Sequence, residues 1–198
     1  LQDGSRAFLG LAYAAPPVGE NRFRAPQPPP VHSGVLDASE TGPACPQLAK
    51  GALDIGTSED CLTLNIWAPS KSITPRPVMV FVHGGGFNSG SGGLPLYEGK
   101  HLSATQDVVV VTLNYRLGPL GFFSHSALSA ESGQGTGNFG LLDQQAALAW
   151  VRDNIAAFGG DKDNVTLFGE SAGGMSVCYQ LVSPKSAGLF RRAIVQSG

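Results

Sequence analysis

A serine between two glycines is the part of this sequence best suited to chemistry. Residues Gly169 to Gly173 spell G-E-S-A-G and follow an apolar run, Val165 to Phe168, that predicts a β-strand. A sharp turn from strand to helix would project the Ser171 hydroxyl at a helix N-terminus, where unpaired amides favour a developing negative charge. This arrangement suits a nucleophile for acyl transfer, although the same five letters also occur by chance in unrelated proteins.

A run of three glycines supplies a second chemical signal. Residues His83 to Phe87 spell H-G-G-G-F and follow the predicted strand Val78 to Val82. Backbone N–H groups in such a loop can face a cavity without an intervening side chain, and each can stabilise a tetrahedral oxyanion by about 3–4 kcal/mol. The alternatives are a plain glycine-rich loop and a phosphate-binding loop, but the phosphate-binding spacing and its Lys-Ser/Thr pair are absent. The glycine run therefore favours an oxyanion-binding loop.

Strand-like apolar runs must position both motifs, and they recur along the chain. Most are continuous rather than alternating, as expected for a parallel sheet that helices cover on both faces. The predicted strands are Leu62 to Trp67, Val78 to Val82, Val108 to Leu113, Val165 to Phe168 and Ala193 to Gln196. The pattern indicates an α/β fold with a mostly parallel central sheet.

Two helices are predicted around the serine motif. The first runs from Phe139 to Phe158, with Asn138 as its N-cap and Gly159 as its C-terminal stop. One face carries apolar residues at helical spacing and should be buried: Leu141, Leu148, Val151, Ile155 and Phe158. We expect Trp150 in the same core rather than in a ligand site. The second helix is predicted from Ser171 to Val182.

Composition narrows the class of function. The 198 residues are 42% hydrophobic and 14% charged, with a formal net charge of -2, and the basic residues are scattered. A nucleic acid or an anionic membrane would require clustered Lys and Arg, so neither is an expected partner. No apolar run is long enough to span a membrane and no metal-ligand cluster occurs, so we expect neither a membrane span nor a metal. No organic cofactor is implied.

Several short motifs along the chain match the pattern of one family: Tyr13 to Pro17, Arg22 with Phe23, Glu59 to Leu62, Leu64 to Trp67, Asn114 to Arg116 and Gly169 to Gly174. On these motifs the sequence resembles the type-B carboxylesterases, the family that includes the cholinesterases. The hormone-sensitive-lipase type also has three glycines but usually carries Asp where Glu170 stands. The resemblance implies an α/β-hydrolase fold, with residues 1–198 forming a single partial domain: the N-terminal portion of the sheet, with helices on both faces.

The resemblance also assigns roles to individual residues. It implies that Ser171 is the nucleophile, that Glu170 is a buried carboxylate beside it, and that Ser197 is a supporting hydroxyl near the triad acid. The oxyanion donors would be the backbone amides of Gly85, Gly86 and Ala172. Two buried ion pairs are implied as well, and removal of one partner from either would leave a stranded charge. These pairs are Arg22 with Glu59 and Arg116 with Asp153.

Two of the three cysteines, Cys45 and Cys61, match the family's first disulfide. The loop between them holds no aromatic residue, whereas in cholinesterases it supplies a tryptophan that binds the choline cation. A choline ester is therefore not the expected substrate. Cys178, in the second predicted helix, is expected to be a small buried apolar residue. The disulfide favours a secreted or periplasmic protein, with a cytoplasmic one as the alternative.

The acid and histidine of a catalytic triad are missing from the place where the family order of serine, acid and histidine would put them. Residues 172–198 contain no Asp, Glu or His, and all four histidines precede Ser171. His83 belongs to the glycine run. The remaining three are expected at the surface or in loops: His32, His101 and His125. We therefore expect a truncated chain, with the acid and the histidine in the C-terminal remainder of the same domain.

The leading hypothesis is a carboxylic ester hydrolase that forms a serine acyl-enzyme intermediate with a small-molecule ester. The alternative is a non-catalytic member of the fold, acting in binding or adhesion. It is disfavoured because Ser171 and the glycine run are both intact. A third hypothesis is that the isolated chain is an inactive piece of an enzyme.

Overall fold

A mixed β-sheet forms the centre of the structure. The computed structural model describes residues 5–47, 56–70, 74–133 and 135–198. In these residues the sheet has six strands: β1 (Arg6–Ala12), β2 (Thr63–Ala68), β3 (Arg76–Val82), β4 (Val109–Leu113), β5 (Gly160–Glu170) and β6 (Arg192–Gln196). Their spatial order is β1-β2-β4-β3-β5-β6. The β3–β4, β3–β5 and β5–β6 pairs are parallel, whereas β1–β2 and β2–β4 are antiparallel.

The five strands predicted from the sequence are all present, and the expected mostly parallel sheet is confirmed. β5 is longer than its apolar run, because it begins at Gly160 and ends at Glu170. β1 has no counterpart among the predicted strands. It is an edge strand with a bulge between Phe8 and Leu11, and Gly10 within it has φ 68°. A bulge interrupts the alternation of side chains that would otherwise mark a strand.

Helices cover the sheet on both faces. They are α1 (Lys100–Gln106), α2 (Gly118–Phe122), α3 (Ser126–Ser132), α4 (Phe139–Asn154) and α5 (Ala172–Val182), with 3₁₀ turns at Gly19–Asn21, Pro95–Tyr97, Ile155–Phe158 and Pro184–Ser186. Just before α1, Gly99 lies against Val110 and Trp67. Successive strand residues face opposite sides, so Val109 and Val111 point the other way, into the core that includes α4.

The first predicted helix ends earlier than expected and continues as a 3₁₀ turn. Asn138 precedes α4, but its side chain makes no capping hydrogen bond, and Gly159, with φ 90°, ends the turn. The predicted apolar face is buried at Leu148, Val151 and Ile155 and half-buried at Leu141 and Phe158. Trp150 is half-buried and packs against the core, as expected.

An expected disulfide and an expected ion pair are both present in the N-terminal part of the chain. Cys45 and Cys61 form the predicted disulfide, with their Cα atoms 5.0 Å apart. The middle of the loop that it closes, residues 48–55, lies outside the described residues. Arg22 pairs with Glu59, with a distance of 2.6 Å between Nε and Oε2. Their side chains are 42% and 29% exposed, so the expectation that this pair is buried is wrong.

The expected pair between Arg116 and Asp153 is wrong. Arg116 pairs instead with Asp143, with Nη2 2.7 Å from Oδ1 and with side chains only 3% and 0% exposed. Asp143 lies in the second turn of α4, whereas Asp153 lies about 15 Å further along the helix axis. There, Asp153 pairs with its exposed neighbour Arg152.

Cys178 is exposed, so the expectation that it is buried is also wrong. The buried residues of α5 are Ala172, Gly173, Gly174, Ser176, Val177 and Gln180, on the face towards the sheet. Cys178 lies on the opposite side of the helix, as do the exposed residues Met175 and Tyr179. The helix therefore buries the face towards the sheet and leaves the opposite face exposed.

Candidate active site

A strained serine lies where β5 passes into α5. Ser171 immediately precedes α5 and has φ 55° and ψ -122°, a conformation that residues other than glycine rarely adopt. Its N–H donates to the carbonyl of Gln196 at the end of β6 (2.9 Å), and its carbonyl accepts from the N–H of Met175 (2.9 Å). Such strain costs about 1–3 kcal/mol and persists only where the surrounding structure holds it. This is the geometry of a nucleophile elbow, residues 169–173.

The two glycines of the elbow are required by contacts between backbones. A methyl group on Gly169 would lie 2.5 Å from the carbonyl carbon of Gly173. A methyl group on Gly173 would collide with the carbonyl oxygen of Val82, the last residue of β3. No side chain fits at either position. The first turn of α5 therefore packs directly against the end of β3.

The loop after β3 (residues 83–90, the oxyanion loop) lies against the elbow. β3 and β5 are adjacent parallel strands, so both turns leave the same edge of the sheet. A methyl group on Gly84 would lie 3.1 Å from Cβ of Ser171 and 2.9 Å from the carbonyl oxygen of Glu170. The structure therefore brings together the two motifs that were identified separately in the sequence.

Three backbone N–H groups of the elbow and the oxyanion loop have no protein acceptor among the described residues. Among the described residues, no oxygen accepts a hydrogen bond from the amides of Gly85, Gly86 or Ala172. Gly85 and Gly86 have φ 104° and 61°, and a methyl group on Gly86 would meet nothing within 4 Å. Ala172 is the first residue of α5, where a helix leaves its N–H groups unpaired. These are the amides that the resemblance implies as oxyanion donors.

The carbonyls that share a peptide plane with two of these amides are held by hydrogen bonds. The Gly84 carbonyl accepts from Nδ1–H of His83 at 2.8 Å. The Gly85 carbonyl accepts from two N–H groups later in the loop, at 3.0 and 3.1 Å. In a planar trans peptide the N–H points opposite to the C=O. Fixing these two carbonyls therefore fixes the N–H directions of Gly85 and Gly86.

His83 supports the oxyanion loop and is not suited to be the catalytic base. Its side chain is 1% exposed and stacks on Tyr115 with ring centroids 4.4 Å apart. Burial lowers the pKa of His83 to about 4, so the imidazole is neutral at pH 7. The Tyr115 hydroxyl donates to the His83 carbonyl at 2.9 Å. Sequence reasoning assigned no role to Tyr115, and the motif Asn114 to Arg116 was the signal that could have found it.

The two expected supporting residues lie beside the elbow, but both are exposed. Glu170 is the last residue of β5, and a methyl group on Gly84 would lie 2.9 Å from its Oε2. Glu170 is exposed, so the expectation of a buried carboxylate is wrong. Burial and, second, the charge of Glu170 raise the pKa of Tyr97. Ser197 follows β6 with φ 51°.

The other three histidines are exposed: His32, His101 and His125. Nδ1 of His125 accepts from the N–H of Ala127 at 3.1 Å, which caps α3. Within the described ranges, no group of three His, Cys, Asp or Glu side chains could hold a metal ion. In the same ranges, no helix is long and apolar enough to cross a membrane.

An apolar groove begins one residue after the glycine run. Its volume is about 880 Å³, and its lining includes Phe87, Phe122, Leu141 and Tyr179. The rings of Phe87 and Phe122 pack together with centroids 5.0 Å apart. Phe87 directly follows Gly86, so the groove offers apolar surface close to the Gly85 and Gly86 amides of the oxyanion loop.

Known proteins are similar to this chain in sequence and in fold. Para-nitrobenzyl esterase of Bacillus subtilis (strain 168) is 52% identical over 202 residues, which cover 100% of this chain and 41% of that protein. Fumonisin B1 esterase of Sphingopyxis macrogoltabida is 51% identical over 195 residues, 96% of this chain and 36% of that protein. The solved structure of a thermophilic PNB esterase matches with a TM-score of 0.94 at 51% identity, over 100% of this chain and 41% of the other.

The chain thus spans about two fifths of the length of the esterases that it matches. The match in structure confirms the α/β-hydrolase fold expected from the sequence. The family model described as the carboxylesterase family covers residues 1–198. Because that match includes every residue, the chain belongs to the carboxylesterase family.

Proposed function

We propose that the full-length protein hydrolyses carboxylic esters through an acyl-enzyme intermediate on Ser171. The observation that carries this proposal is the strained backbone of Ser171, packed against a glycine loop whose Gly85 and Gly86 N–H groups donate to no described residue. Strain of this kind is kept where function requires it. The names of the relatives, para-nitrobenzyl esterase and fumonisin B1 esterase, agree with ester hydrolysis.

The reaction has two halves. Oγ of Ser171 attacks the ester carbonyl carbon, its proton passes to a base, and the negative charge on the carbonyl oxygen is held by backbone amides. Those amides are Gly85, Gly86 and Ala172. Collapse of this intermediate breaks the bond to the alcohol, which leaves with the proton from the base. Water then attacks the acyl-enzyme in the same way and releases the carboxylic acid and free Ser171.

The base and its acid partner come from the remainder of the full-length protein. Burial lowers the pKa of His83 to about 4 and keeps its imidazole neutral at pH 7, and residues 172–198 contain no Asp, Glu or His. In this fold the acid and the histidine follow the serine along the chain. A base is needed because a serine hydroxyl is a weak nucleophile until its proton is taken.

The substrate proposed here is an uncharged ester with an apolar group. The groove beside Phe87 offers aromatic and aliphatic lining, and apolar surface of this kind binds hydrocarbon better than charge. The absence of an aromatic residue between Cys45 and Cys61 disfavours a choline ester. Glu170, Ser197 and the groove are assigned supporting and binding roles within this proposal.

Hydrolysis of para-nitrophenyl butyrate by the full-length protein tests the proposal. Ser171→Ala should lower kcat by about 10⁴-fold or more, because loss of the nucleophile removes the acyl-enzyme route. Ser126→Ala is the matched control, since Ser126 is exposed at the start of α3, and it should keep full activity. Wild-type activity that survives Ser171→Ala would overturn the assignment of the nucleophile.

A further inference from the structure

We infer that Gln47 is a positioning residue that couples the Cys45–Cys61 disulfide to the oxyanion loop. The inference rests on the proposed function, because it assigns to Gln47 a contribution to the oxyanion-binding step. Sequence analysis gave this glutamine no role. Its importance follows from which backbone groups its amide contacts.

The side chain of Gln47 holds both backbone polar groups of Gly90. Its Oε1 accepts from the Gly90 N–H at 2.9 Å, and its Nε2 donates to the Gly90 carbonyl at 3.0 Å. Nε2 also donates to the carbonyl of Cys45 at 3.0 Å. One amide therefore links the last residue of the oxyanion loop to a residue of the disulfide.

Gly90 in turn packs against the groups that orient the first oxyanion amide. It has φ 111°, and a methyl group on it would collide with Nδ1 of His83 and lie 2.9 Å from the Gly84 carbonyl oxygen. Nδ1 of His83 and that carbonyl form the 2.8 Å hydrogen bond that fixes the direction of the Gly85 N–H. A displaced Gly90 would therefore disturb this hydrogen bond directly.

The residue before Gly90 reaches the second oxyanion amide. The N–H of Ser89 donates to the Gly85 carbonyl at 3.1 Å, and that carbonyl shares its peptide plane with the Gly86 N–H. The carbonyl carbon of Ser89 would lie 2.8 Å from a methyl group on Gly85. Both proposed loop donors thus depend on where residues 89 and 90 are held.

The disulfide restrains the segment that carries Gln47. Cys45 and Cys61 are 1% and 0% exposed, and Cys61 is two residues before the start of β2 at Thr63. Gln47 is itself two residues from Cys45. The disulfide therefore ties the segment that carries Gln47 to the central sheet, and Gln47 passes that restraint to the oxyanion loop.

The effect on catalysis should appear in kcat rather than in KM, because the oxyanion charge exists only in the transition state and the intermediate. Outright removal of an oxyanion donor lowers kcat by about 10²–10³-fold. Gln47→Ala leaves the donors present but less well aligned, so we expect a loss of about 10-fold in kcat, below that range, with little change in KM. Reduction of the disulfide should lower kcat in the same direction.

The test uses the full-length protein with two variants of Gln47 and one control. Gln47→Ala removes all three contacts, and Gln47→Glu keeps an acceptor for the Gly90 N–H while removing both donations. Gln106→Ala, at an exposed position in α1, is the control. For each protein, kcat and KM for para-nitrophenyl butyrate are measured with the disulfide intact and after its reduction. Hydrogen exchange of the peptide covering residues 83–90 is followed by mass spectrometry in both states.

Both Gln47 variants should lose kcat and exchange faster in residues 83–90, whereas Gln106→Ala should match wild type. Reduction of the disulfide should also lower kcat and speed exchange in wild type. In Gln47→Ala it should add little, because the substitution and the reduction break the same link between the disulfide and the oxyanion loop. An unchanged kcat in Gln47→Ala, or additive losses on reduction, would overturn the inference. If wild type hydrolyses no ester, the proposed function fails, yet the exchange data still decide the coupling: unchanged exchange in residues 83–90 refutes it.

Discussion

Asp143→Ala should leave the guanidinium of Arg116 buried without a counter-ion. In the structure, Nε and Nη2 of Arg116 donate to the Asp143 carboxylate at 2.8 and 2.7 Å, and the Arg116 N–H donates to it at 3.0 Å. The remaining nitrogen, Nη1, is buried with no hydrogen-bond partner among the described residues. No second acceptor is therefore in place to take over when the carboxylate is removed.

The magnitude follows from burial and from the number of bonds lost. The side chains of Arg116 and Asp143 are 3% and 0% exposed, so solvent cannot screen the remaining charge. Removing one partner of a buried pair costs about 3–5 kcal/mol, much of it the penalty of a stranded charge. With three hydrogen bonds lost at once, we expect a loss near the middle of that range, about 4 kcal/mol.

Urea unfolding of the full-length variants, followed by fluorescence, measures this loss as a shift of the midpoint at constant slope. Asp153→Ala is the matched control on the same helix, because Asp153 is 60% exposed and pairs with the exposed Arg152. Exposed pairs of this kind are worth about 0–1 kcal/mol. The reasoning is refuted if Asp143→Ala costs less than about 1 kcal/mol or if Asp153→Ala proves the more damaging change.

Two further predictions concern the oxyanion loop and the elbow. Burial lowers the pKa of His83 from 6.5 to about 4. As the pH falls, the unfolded chain therefore takes up a proton on His83 before the folded chain does. The free energy of unfolding should then fall by about 3 kcal/mol between pH 6.5 and pH 4. In His83→Gln the urea midpoint should depend less on pH between pH 4 and pH 6.5. The same pH dependence as in wild type would argue against a role for His83 in it. Gly173→Ala should yield little soluble folded protein, because its methyl group collides with the Val82 carbonyl. The control Gly133→Ala, where a methyl group meets nothing within 4 Å, should fold with a loss of about 1 kcal/mol. Equal soluble yields and equal thermal midpoints would contradict the packing argument.

The strands and the two chemical motifs could be predicted from the sequence because each is a contiguous segment with its own pattern. The apolar runs of β3 and β5 end directly at the glycine run and the serine motif. β3 and β5 pair in parallel in the structure, and parallel strands end at the same edge of a sheet, so both motifs lie on one side of the fold. The structure also shows that the two motifs are in contact, at Gly84 and Ser171. The sequence pattern alone does not reveal this contact.

The incorrect predictions concern tertiary contacts and the exposure of single side chains. Arg116 could pair with either aspartate of α4, and only the packing of the helix decides for Asp143. Exposure of Cys178 depends on how wide a stripe of α5 meets the sheet. Gln47 contacts Gly90, which is 43 residues away along the chain. Contacts of this kind arise from tertiary packing, so neither periodicity nor spacing can signal them.

Reaction with a fluorophosphonate probe shows directly whether Ser171 is an activated nucleophile. Attack by Oγ on phosphorus expels fluoride and leaves a stable adduct, so the full-length protein should gain the mass of one probe on the peptide that contains Ser171. Ser171→Ala should gain none, while Ser126→Ala should label as wild type does. We expect a single adduct, at Ser171. Labelling at another residue, or ester hydrolysis without any labelling at Ser171, would contradict it.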